Sequence, residues 1–166
     1  MSVENIRLVI AFIILCAAQV LVLGNIHLLG FATPMPYIYI LLLMPRDCPR
    51  YALLLCGFAM GVIIDVFANT PGVAAASMTL LAMVRHTILE PFIPRDSDDD
   101  IAPTMTTIGK SSYFYYTVIC TVVYCAVFFS LEIFCIYDYQ QWAKCTIGSS
   151  VVTIALIVAV ESARDK

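Results

Sequence analysis

The sequence predicts an all-α, polytopic transmembrane helical bundle of about six spans, and three observations carry that prediction. The first is composition: of 166 residues, 61% are hydrophobic and only 13% charged, with a mean hydropathy of +0.92, against roughly 25% charged residues in a soluble domain. The second is spacing. Apolar runs recur at the length that a hydrocarbon core of about 30 Å demands, roughly 20 residues each. The third is charge: with the N-terminus inside, the cytoplasmic segments collect Arg7, Arg46, Arg50, Arg85, Arg95, Lys110, Arg164 and Lys166, and the outer ones hold Lys144 alone. The positive-inside rule then puts the N- and C-termini in the cytoplasm. One integral membrane domain, 1–166, accounts for this length and leaves no room for a soluble catalytic domain.

The first span is expected at 6–23, with Gln19 facing another helix. Arg7 followed by Leu8 to Leu23 imitates a secretory signal, but the run is long for one and lacks an A-x-A site, so it is expected to remain. The second span, 28–44, is interrupted by Pro34 and Pro36 and followed by Pro45 and Pro49. Proline breaks backbone hydrogen bonds that lipid cannot replace, so this piece is expected to pack against protein, either crossing in an irregular form or folding back. The third and fourth spans, 52–68 and 73–89, are joined by a turn of a few residues, with Thr70 suited to cap the second helix and Pro71 to its first position. The fifth, 113–136, carries Tyr113, Tyr115 and Tyr116 at one end, with Tyr137, Tyr139 and Trp142 beyond the other, as interfacial belts do. The sixth, 145–160, has a stripe of Thr146, Ser149, Ser150 and Thr153 that belongs in a helix interface.

The stretch from Cys56 to Leu80 concentrates the unusual residues. Gly57, Gly61, Asp65 and Asn69 recur every four positions, so on a helix they form one stripe of two glycines, a carboxylate and an amide. Small residues there admit a neighbouring helix. A carboxylate in hydrocarbon costs several kcal/mol unless it faces protein or water, so Asp65 either ties two helices together or contacts a ligand. Free N–H groups at the start of the fourth span would favour it. A purely structural role predicts that Asp65→Asn is tolerated and that Asp65→Leu and Gly61→Leu are not.

Other chemistry is weighed and set aside. Seven cysteines without a CxxC pair read as small core or lipid-facing residues. His27 and His86 fall near opposite faces, so no metal site is expected, and no cofactor. The run from Asp96 to Asp100 starts like a calcium loop but has Ile101 where glycine and Thr107 where glutamate is required, which leaves a solvated acidic loop. Ile147-Gly148-Ser149-Ser150 lacks the second glycine of a serine elbow, so no enzyme is predicted. No basic stripe with aromatic residues is present for nucleic acid. Arg85, at the end of the fourth span where cations suit the helix dipole, and Glu132, near the outer end of the fifth, are secondary candidates.

Gly57-x3-Gly61-x3-Asp65-x-Phe67, then Asn69-Thr70-Pro71-Gly72 opening an alanine-rich span that ends in Arg85, resembles the rod shape-determining MreD family. Tyr37-Ile38-Tyr39-Ile40 looks like the second span of its Bacteroidetes-type members. The motif covers about a third of the chain, and Gly61, Asp65, Pro71 and Gly72 are the positions carried over. The resemblance implies a non-enzymatic scaffold of the cell-elongation machinery in the bacterial inner membrane. Its partners would be the lipid bilayer and a bitopic MreC-like protein, with MreB-like filaments and the peptidoglycan synthases reached through it. The family also looks like the substrate-binding subunits of energy-coupling-factor transporters, which implies an alternative: a small-molecule-binding subunit of a vitamin-type transporter.

Overall fold

The computed structural model describes residues 3–21, 33–46, 48–93, 103–132 and 139–164. Every regular element among them is helical. In chain order they are α1 (Val3–Leu21), a 3₁₀ turn (Pro36–Ile38), α2 (Tyr39–Leu43), α3 (Arg50–Ala68), α4 (Val73–Leu89), a second 3₁₀ turn (Glu90–Phe92), α5 (Met105–Ile108), α6 (Lys110–Glu132) and α7 (Tyr139–Arg164). Four stretches among the described residues are long and apolar enough to cross a membrane: Arg50–Ala68, Val73–Phe92, Lys110–Glu132 and Gln140–Arg164. They correspond to the third to sixth expected spans. Three of them differ at their ends: α3 begins at Arg50 rather than 52, α6 at Lys110 rather than 113, and α7 runs from Tyr139 to Arg164 rather than over 145–160. The helix α1 covers most of the first expected span, with an apolar stretch at Ile10–Gln19.

The second expected span is not one helix. Residues 28–32 lie outside the described residues; 33–35 have no regular structure, and the helical part is the 3₁₀ turn plus five-residue α2. The cause is the alternation Thr33-Pro34-Met35-Pro36, since two prolines remove two N–H donors and fix φ. The two N–H groups that survive are taken by one face of α7: Thr33 N donates to Ser149 Oγ at 3.0 Å and Met35 N to Thr153 Oγ1 at 3.1 Å. Further on, the Tyr39 hydroxyl donates to the Glu161 carboxylate. The segment therefore runs one way along α7 and does not turn back within the described residues. Ser149 and Glu161 stand about 18 Å apart on a helix, whereas three extended and three 3₁₀ steps from Thr33 to Tyr39 rise about 16 Å. Breaking the helix lets a short piece of chain cover that depth.

Around this segment the helices stand as neighbours in the order α1, α3, α4, α6, α7, and the segment touches α1, α3 and α7. Every residue from Met35 to Leu43 is buried, from Leu41 and Leu42 at 0% to Leu43 at 9% exposure. The outer faces are apolar. Tyr51, Leu55, Phe58, Val62 and Val66 form one stripe of α3, with Met83 of α4, Ile119 and Val122 of α6, and Ile147 and Val151 of α7 similarly exposed. Asp65, Arg85, Ser149, Thr153 and Glu161 point inward. The outer faces are thus apolar where a water-soluble bundle carries its charged and polar residues.

Candidate functional site

Two polar centres lie inside the bundle, one at the α3–α4 turn and one along the broken segment. At the turn, α3 ends at Asn69 in the left-handed conformation, φ 57°, which asparagine adopts more readily than other non-glycine residues. Gly72 is left-handed too, φ 84°, and α4 starts at Val73. The expected capping by Thr70 is corrected here. Its hydroxyl donates to Asp65 Oδ1 at 2.9 Å, and Pro71 lies in the turn and not in the helix. Asp65 itself caps α4: Oδ1 accepts Ala74 N–H at 2.9 Å and Oδ2 accepts Ala75 N–H at 2.9 Å. Its backbone carbonyl accepts Thr70 N–H at 3.2 Å. A carboxylate from the preceding helix thus does what an N-cap side chain usually does, with the positive end of the helix dipole beside it.

The glycine stripe closes the same hairpin. A Cβ built on Gly61 would stand 2.4 Å from the Cα of Ala75, inside the backbone of α4; on Gly57 it would stand 3.1 Å from the Met78 carbonyl. Ala74, Ala75 and Ala82 on the facing side complete the close approach. Asn69, Pro71 and Gly72 are exposed at the tip. With both carboxylate oxygens engaged by protein donors, Asp65 is built to join α3 to α4.

The second centre is organised by Arg85. It does not sit at the helix end facing outward as a dipole partner; it is 3% exposed and turned inward. Its Nε donates to Tyr116 Oη of α6 at 3.0 Å, and its Nη2 donates to the carbonyls of Leu42, at 3.5 Å, and Met44. Those carbonyls belong to the end of α2, which has no following turn to satisfy them. One guanidinium therefore ties α4, α6 and the broken segment together. Along the segment, the hydroxyls of Tyr37 and Tyr124 meet with their rings edge to face, and Glu161 receives Tyr39 with Arg164 Nη1 3.7 Å away.

No protein-family model, curated protein or solved structure matches this chain. Its chemistry is therefore read from the geometry. Among the described residues no group of three or more His, Cys, Asp or Glu side chains is placed to hold a metal. Glu132 ends α6 in an exposed position. His27 and the acidic run 96–100 lie outside the described residues. Sequence reasoning passed over Glu161, although it continues the Ser149–Thr153 spacing by two further turns of α7. It also assigned the α7 stripe to a helix interface, whereas Ser149 and Thr153 bind the backbone of a non-helical segment.

Proposed function

We propose that this chain is a non-enzymatic integral membrane scaffold of the MreD type. It spans the bacterial inner membrane with both termini in the cytoplasm and couples a bitopic MreC-like protein, and through it MreB-like filaments and the peptidoglycan synthases, to lateral wall growth. The observation that carries this reading is the α3–α4 hairpin. Gly57, Gly61 and Asp65 are spent on making two helices one rigid unit, and that unit presents a continuous apolar stripe, Tyr51 to Val66, on its far side. A rigid unit with an apolar outer face suits a protein whose work is to be bound within a bilayer.

The alternative, a small-molecule-binding transporter subunit, needs space between its helices. Here Met35–Leu43 packs through the middle of the bundle, which supports the scaffold. Affinity purification in mild detergent tests the choice. A bitopic partner that co-purifies, together with rounding or lysis of rod cells on depletion, is the expected result. Co-purification of an ATPase pair with a coupling subunit, or normal rod growth after depletion in cells with no second copy, overturns it.

A further inference from the structure

We draw no further inference here: the strongest candidate, the buried guanidinium of Arg85 where α4 meets α2 and α6, belongs to the site already described, since its Nε and Nη2 are taken by Tyr116 and the carbonyls of Leu42 and Met44 and nothing in the structure shows room beside it for a ligand.

Discussion

Asp65 is held by three donors, and the way they are shared decides what a substitution does. Each oxygen accepts a backbone N–H of α4, Ala74 or Ala75, and Oδ1 also accepts the Thr70 hydroxyl. An asparagine offers one oxygen and one NH₂, and the NH₂ faces a donor it cannot accept from. Asp65→Asn is therefore not the silent change that a purely structural role first implies. We expect it to destabilise the protein by about 1–3 kcal/mol, the cost of one buried unsatisfied group, with Asp65→Leu worse because it orphans all three donors. Thermal midpoints of the two variants in detergent check this ordering. Gly61 and Gly57 separate in the same assay. Gly61→Ala should cost about 1–3 kcal/mol because a methyl group there meets backbone that cannot move aside, whereas Gly57→Ala, 3.1 Å from the nearest atom, should be markedly milder.

At the scale of elements, the broken segment is irregular and, among the described residues, deeply buried. It is kept inside by partners from three helices: Ser149, Thr153 and Glu161 of α7, Tyr124 of α6 and Arg85 of α4. Thr153→Val leaves the Met35 N–H orphaned and should cost about 1–3 kcal/mol. Arg85→Lys keeps the charge but cannot span Tyr116 and the two α2 carbonyls with one ammonium group, so it should recover only part of the loss seen in Arg85→Leu. Limited proteolysis near Arg46 and Arg50 would read release of the segment in each variant. How far this element was legible from the sequence follows from its chemistry. Pro34 and Pro36 announced the break, because a missing N–H is a local property. Which hydroxyls replace the lost bonds is a matter of helix neighbours in space, and the α7 stripe did not say which partner it served. Arg85 was misjudged for the same reason: its place at a helix end fits the dipole, and only the packing of α2 against α4 and α6 turns it inward. The Gly57–Asp65 stripe could be read because its spacing alone puts glycine and carboxylate on one face.

The molecule as a whole keeps Asp65, Arg85, Ser149, Thr153 and Glu161 inside a largely apolar core and turns apolar side chains outward as well, and this follows from how its helices are faced. On α3, Gly57, Gly61 and Asp65 share the buried side with Met60 and Ile64, and Leu55, Phe58, Val62 and Val66 occupy the other. Four stretches have the length and composition to cross a membrane. In the topology we propose, the path of the segment beside α7 counts as a further passage between α1 and α3, and on that count the basic residues fall to one side. We propose that the chain crosses the membrane with the broken segment as one of its passages, so that the α6–α7 junction lies outside and both termini lie inside. Thiol accessibility in intact cells, in a background from which the native cysteines have been removed, measures it most directly. A cysteine at Gln141, exposed in the first turns of α7, should react with a membrane-impermeant reagent, and one at Ser97 should react only after the cells are opened. Labelling of Ser97→Cys in intact cells, with Gln141→Cys protected, would contradict the account.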